Sequence, residues 1–266
     1  MVELLQAVVH RATAVHHPRC IGHQVAAPLP AAVAAELVSA FTNNGMAVFE
    51  MGQLNTVFER RLTEWMCGRI GWGSAAGGVL VHGGSLGNLT ALLAARQATS
   101  VRAGGNAWRE GECAGGHCVL VSAQSHYCVD RAVRILGMGE QGIVQVPTDK
   151  EFRMDPAALP EALAEAKRRG RRPIALIANA CSTATGSFDR IPELADFCER
   201  EGIWLHVDGA HGASLVLGND YRHLVQGIDR ADSVVWDAHK TMLMPALNTA
   251  VLFRDARHGF GAFQQD

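Results

Sequence analysis

Ser233-Val234-Val235-Trp236-Asp237-Ala238-His239-Lys240 decides how this chain is read. The apolar, β-branched run Val234-Val235-Trp236 predicts a strand buried on both faces. Asp237, His239 and Lys240 follow at once, so one strand end delivers a carboxylate, an imidazole and an amine. A lysine amine can condense with a carbonyl compound to a Schiff base. Taken alone, Lys240 reads as a surface lysine after an ordinary strand. Its surroundings change that reading. Asp208 stands 32 residues earlier, at the end of a second apolar strand, Ile203-Trp204-Leu205-His206-Val207.

Working outward, the same alternation recurs. Short apolar runs at Val79–Val81, Cys118–Ser122, Ile143–Val146, Ile174–Asn179 and Thr249–Phe253 predict five further strands. Helical spacing fills most of the intervals, at 89–96, 129–136, 156–169 and 191–200. Seven short strands alternating with helices predict an α/β fold: one seven-stranded, mostly parallel sheet with helices on both faces. Polar residues gather at the strand ends, which such folds bring to one edge: Ser85, His126, Ser182, Thr183, Asp208, His239 and Lys240. Two further helical patterns, Ala31–Phe41 and Thr56–Ile70, precede the first strand, separated by Asn43-Asn44-Gly45 and an irregular stretch. The last strand, Thr249–Phe253, is expected to close the chain.

Between strand and helix lies His82-Gly83-Gly84-Ser85-Leu86-Gly87-Asn88. A glycine-rich turn into a helix offers free N–H groups to a phosphate. The turn is neither a Walker loop nor GxGxxG. It does fit G-x-S-x-G, which keeps a hydrolase reading open: Ser85 as nucleophile, Asp208 as acid, His211 or His239 as base. That reading leaves Lys240 without a role.

Composition narrows the classes. With 266 residues, 48% hydrophobic and 19% charged, the chain has length for a large core, and its net charge of −2 gives no footprint for nucleic acid or an anionic membrane. No apolar run approaches the ~20 residues of a membrane span. Met1–His17 lacks the continuous apolar core of a signal peptide. Seven scattered cysteines form no CxxC pair; they predict reduced thiols, a cytoplasmic setting and no metal site, although Cys113, His117, Cys118 and Cys128 are the group to check.

Seven stretches, taken in order, resemble a known family. They are His17-Pro18-Arg19, Gly45-Met46-Ala47-Val48-Phe49-Glu50-Met51, Gly83-Gly84-Ser85-Leu86-Gly87-Asn88-Leu89-Thr90, Ser125-His126, Gly186-Ser187-Phe188-Asp189, His206-Val207-Asp208-Gly209-Ala210 and Asp237-Ala238-His239-Lys240. Together they are similar to the pyridoxal-phosphate-dependent group II amino-acid decarboxylases, a group that includes the glutamate, aromatic-amino-acid and diaminobutyrate enzymes. The resemblance implies the large domain of fold type I, pyridoxal 5'-phosphate as cofactor, and a lyase that releases CO₂ from an amino acid and leaves an amine.

By position, Lys240 is then the Schiff-base lysine, Asp208 the partner of the pyridine nitrogen, and His126 and Ala210 the groups on the two ring faces. Gly84, Ser85 and His239 hold the phosphate, and Ser182 or Thr183 lies near the ring hydroxyl. Asp237 stands where relatives often carry asparagine, so a phosphate contact there needs hydrogen bonds that turn the carboxylate aside. The family also implies a homodimer. Residues 1–70 are expected to form its interface, through stripes of Val33, Leu37, Phe41, Val57, Leu62 and Met66, and residues 71–266 to form the cofactor-binding domain. The loop around His23 and Gln24 is expected to contribute to substrate choice. The chain is expected to lack the family's small C-terminal domain, which makes a catalytically impaired cofactor-binding homologue the alternative.

Overall fold

The structure is a computed structural model, and it describes residues 1–22, 24–111 and 116–263. His23 and Cys113, both singled out above, lie outside the described residues. Ahead of the sheet come helices α1 (Val2–Arg11), α2 (Pro30–Thr42) and α3 (Phe49–Ile70). Then follow β1 (Gly77–Val81), α4 (Gly83–Arg102), the short α5 (Ala107–Glu110), β2 (His117–Ser122), α6 (Tyr127–Ile135) and β3 (Ile143–Val146). The second half runs α7 (Leu159–Arg168), β4 (Arg172–Asn179), α8 (Ile191–Glu201), β5 (Trp204–Asp208), β6 (Ser233–Asp237), α9 (Ala238–Thr241), β7 (Thr249–Phe253) and α10 (Ala256–Phe263).

The strands form one sheet in the order β1-β7-β6-β5-β4-β2-β3. From β6 to β3 every pairing is parallel; β7 lies antiparallel to both β6 and β1. Two antiparallel steps restore direction, so β1 runs the same way as β6. Its end, Val81, pairs with Thr249, which pairs in turn with Asp237. That is why the turn after β1, the first in the sheet, arrives beside the end of the sixth strand.

Side chains alternate across the sheet with period two. Leu176, Leu205, Val207, Val234, Trp236, Ala250 and Leu252 face one side, with α7, α8 and the last turns of α3. Ala175, Ile177, Trp204, Val235, Val251 and Phe253 face the other, under α4, α6 and α10. The α4 helix sits close to the sheet because Gly87 leaves room: a Cβ there would come within 3.0 Å of Val235. Leu92 on the same helix is fully buried, and such a side chain contributes roughly 1.5–3 kcal/mol.

The N-terminal region departs from expectation in three ways. Residues 2–11 are helical, with none of them buried. The third helix begins at Phe49 rather than Thr56, and bends at Gly52, whose φ of −123° and ψ of 28° interrupt the helix. Met66, expected in an exposed stripe, is 2% exposed and packs in the core with Cys67 and Ile70, because the last turns of α3 lie against β1. Finally, β7 does not close the chain; α10 follows it and packs back on α4.

Candidate active site

The carboxyl ends of β1, β4, β5 and β6 surround a cavity of about 300 Å³. Every site residue expected from the sequence lines it: Gly84, Ser85, His126, Ser182, Thr183, Asp208, Ala210, Asp237, His239 and Lys240. Asn88, Asn179 and His211 line it too, and none of them was assigned a cofactor role from the sequence.

At the end of β6, Asp237 is 1% exposed and held by three neighbours. The Thr249 hydroxyl donates to its Oδ1 at 2.5 Å, while Lys240 Nζ and His239 Nε2 lie 3.3 and 3.5 Å from its Oδ2. Burial pushes the Asp237 carboxyl up, with the Thr249 hydroxyl and the Lys240 and His239 charges pulling the other way. The carboxylate expected to oppose a phosphate is thus engaged by a hydroxyl and an amine. Lys240 occupies the one-turn α9, with its side chain 19% exposed into the cavity.

At the end of β5, Asp208 is 7% exposed. Its Oδ1 accepts the Ala210 N–H at 3.2 Å and its Oδ2 accepts Asn88 Nδ2–H at 3.1 Å. Neither oxygen is bonded to a histidine, so the Ser-His-Asp arrangement of a hydrolase is not formed around Asp208.

His126 caps α6: its Nδ1 accepts the Cys128 N–H at 3.3 Å, and the ring lies 4.1 Å from that of Tyr127. Burial holds its imidazole below the ordinary histidine range. Burial, aided by the Lys240 charge, does the same to His211, whose buried Nδ1 has no partner among the described residues. Across the cavity, Asn179 ends β4 and gives its Nδ2–H to Ser122 Oγ and Asp189 Oδ2, each at 3.1 Å. Ser182 bonds to Thr185 at 2.8 Å. The Cys128 thiol is pushed up to about 12 by burial, so it stays protonated at neutral pH.

Three features fit pyridoxal phosphate. The 20-residue α4 begins at the cavity with no side-chain cap, leaving its first N–H groups for an anion. At Gly84 a Cβ would meet Asp237 Oδ2 at 3.3 Å and Ala210 Cβ at 3.4 Å, so glycine keeps that cradle open. An amine, a buried carboxylate and the orphaned His211 nitrogen then supply the remaining donor and acceptor set.

The chain is similar to known proteins. Residues 1–265 match the family model described as the pyridoxal-dependent decarboxylase conserved domain. An aromatic-L-amino-acid decarboxylase of Bacillus atrophaeus is 33% identical over 94% of this chain and 50% of its own length. A cysteine sulfinic acid decarboxylase of Rattus norvegicus is 30% identical over all of this chain and 55% of its own. Among solved structures, the glutamate decarboxylase domain of a Vibrio parahaemolyticus diaminobutyrate-pyruvate transaminase and L-2,4-diaminobutyrate decarboxylase superposes with a TM-score of 0.93. That match covers 98% of this chain and 57% of the other, at 28% identity. The chain spans about half the length of the curated relatives it matches. With the lysine, the aspartate and the uncapped helix converging as they do, the family match over residues 1–265 has a physical counterpart, and the chain belongs to the pyridoxal-dependent decarboxylases.

Proposed function

We propose that this chain holds pyridoxal 5'-phosphate at Lys240 and serves the decarboxylation of an L-amino acid to an amine and CO₂. The observation that carries this is the convergence of Lys240 Nζ, the Asp208 carboxylate and the free α4 N-terminus on one cavity. When bound, the cofactor supplies an electron sink for the electron pair that departing CO₂ leaves behind.

The chain's own residues do the rest. Lys240 gives the covalent attachment, and its neighbour Asp237 keeps the amine at the cavity wall. Asp208 holds a proton at the ring nitrogen, a task suited to a buried carboxylate with both oxygens already fixed. Gly84, Ser85 and the α4 N–H groups hold the phosphate, with His239 beside them. His126 and Ala210 confine the ring between them, and Ser182 or Thr183 serves its hydroxyl. Orientation of this kind accounts for a large part of enzymatic rate enhancement.

The protein is further proposed to act as a cytoplasmic homodimer. Residues 1–70 would form the interface and 71–266 the cofactor domain. The exposed apolar side chains of α2 and α3 support that division. No described helix is long and apolar enough to cross a membrane.

Uptake of pyridoxal phosphate followed by its visible absorbance tests the binding half. Release of labelled CO₂ from a panel of carboxyl-labelled amino acids tests the reaction. No uptake at millimolar cofactor would overturn the reading.

A further inference from the structure

Trp204, His206 and Asp208 stand at alternate positions of β5 and so share one face of the sheet, the face α4 covers. An unbroken chain of hydrogen bonds joins them. Trp204 Nε1–H donates to Ser233 Oγ at 2.8 Å, and the same oxygen lies 2.8 Å from His206 Nδ1. His206 Nε2 lies 2.9 Å from Asn88 Oδ1, and Asn88 Nδ2–H reaches Asp208 Oδ2 at 3.1 Å. Trp204, Ser233, His206 and Asn88 are each 3% exposed or less.

Chemistry fixes every proton in this chain, from both ends. Asn88 Nδ2 also donates to the Gly84 carbonyl at 2.9 Å. A carbonyl and a carboxylate only accept, so the amide nitrogen faces them and the amide oxygen faces His206. An amide oxygen accepts, so His206 Nε2 must carry the proton. From the other end, an indole N–H only donates, so Ser233 Oγ accepts it and has its own proton to give. His206 Nδ1 is there to take it. The two arguments agree on a neutral imidazole that donates toward the cavity.

We propose that His206 and Asn88 are positioning residues for the cofactor. His206, locked in its Nε2–H form by Ser233 and Trp204, aims the Asn88 amide, and the amide ties down Asp208 Oδ2. With Ala210 N–H on Oδ1, two of the roughly four acceptor sites of the carboxylate are taken, leaving it a fixed direction toward the ring nitrogen. Asn88 and Asp208 are 120 residues apart, so α4 delivers to Asp208 the same helix start that offers N–H groups to the phosphate. One helix thereby sets the spacing between the phosphate cradle and the Asp208 carboxylate. This inference rests on the proposed function.

Two measurements test it. In cofactor-free protein with ¹⁵N-labelled histidine, assigned with His206→Gln, His206 should show a protonated Nε2 and a bare Nδ1 between pH 6 and 8. A protonated Nδ1 would overturn the chain. Pyridoxal phosphate is then titrated into the wild type, His206→Gln, His206→Asn and Asn88→Ala, with melting temperatures measured alongside. Gln places its N–H near the position of Nε2 and should bind within about threefold of wild type, whereas Asn, polar only on the Ser233 side, should bind about tenfold or more weakly. Asn88→Ala, which suits a helix, should lose at least as much. Equal binding by wild type, His206→Asn and Asn88→Ala would overturn this inference alone. A wild type that takes up no cofactor would overturn the functional reading and this inference with it.

Discussion

The N-terminal helices and the central strands β5 and β6 invert the usual placement of apolar and polar side chains. In α2, Leu37 and Phe41 are 72% and 90% exposed, and α1 buries nothing at all. In β5 and β6 every residue is buried, including Asp208, His206, Ser233 and Asp237. Apolar side chains face water in one region while carboxylates and an imidazole are withdrawn from it in the other. Buried polar groups are costly unless hydrogen-bonded, and the protein itself supplies partners to Asp208, His206, Ser233 and Asp237. The helices have no such internal solution. Their apolar faces call for a second surface, for which the proposed twin subunit is the simplest source.

The largest effect should come from breaking the central strands at their functional end. Asp208→Asn keeps the shape and the bond from Ala210 but sets an amide N–H against Asn88 Nδ2, which weakens cofactor uptake, and a neutral amide does not hold the ring nitrogen protonated. Decarboxylation, once measured in the wild type, should fall about 10²-fold or more while weakened cofactor uptake persists, as read by parallel rate and absorbance assays.

Next comes the contrast between the two apolar settings. Leu92→Ala removes a fully buried side chain and should cost about 2–5 kcal/mol in denaturant unfolding. A similar loss from Leu37→Ala at concentrations where the chain is monomeric would erase the distinction drawn here.

Acid probes the buried imidazole. Burial holds His206 down at about 4 against an ordinary 6.5, with Asp208 opposing. The unfolded chain therefore binds a proton there before the native one does. The stability carried by neutral His206 is present above pH 6.5 and lost progressively between about 6.5 and 4, up to roughly 3 kcal/mol. Unfolding curves across that window should be flatter for His206→Gln.

The smallest effect on folding is expected at Phe41→Ser, within about 0.5 kcal/mol for the isolated chain. Its effect should appear in association, as a weaker dimer by sedimentation equilibrium. A wild-type chain that is monomeric at tens of micromolar would remove the proposed interface.

Much of this contrast was legible in the sequence. The β-branched runs marked all seven strands, since a strand buried on both faces leaves few places for polar residues. Polar residues at the strand ends then marked the cavity. Less visible was what depends on neighbours. Asn88 and His206 lie 118 residues apart, and the strand order that brings α4 over β5 is not written in either segment. The alternation Trp204, His206, Asp208 was the available signal, because three large polar-tipped side chains on one strand face need partners there. Met66 misled because helical spacing shows a stripe and not what it faces; contact with β1 turned it inward. At the start of α3, Gly52 disrupts the helix near its beginning and concealed its first two turns.

The central claim is that this cavity carries its cofactor on Lys240. The direct measurement is borohydride reduction of the chain in the presence of pyridoxal phosphate, followed by peptide mass mapping. A single pyridoxyl modification on Lys240, lost in Lys240→Ala, is the predicted result; full-yield modification of Lys150 or Lys167 with Lys240 untouched would contradict it.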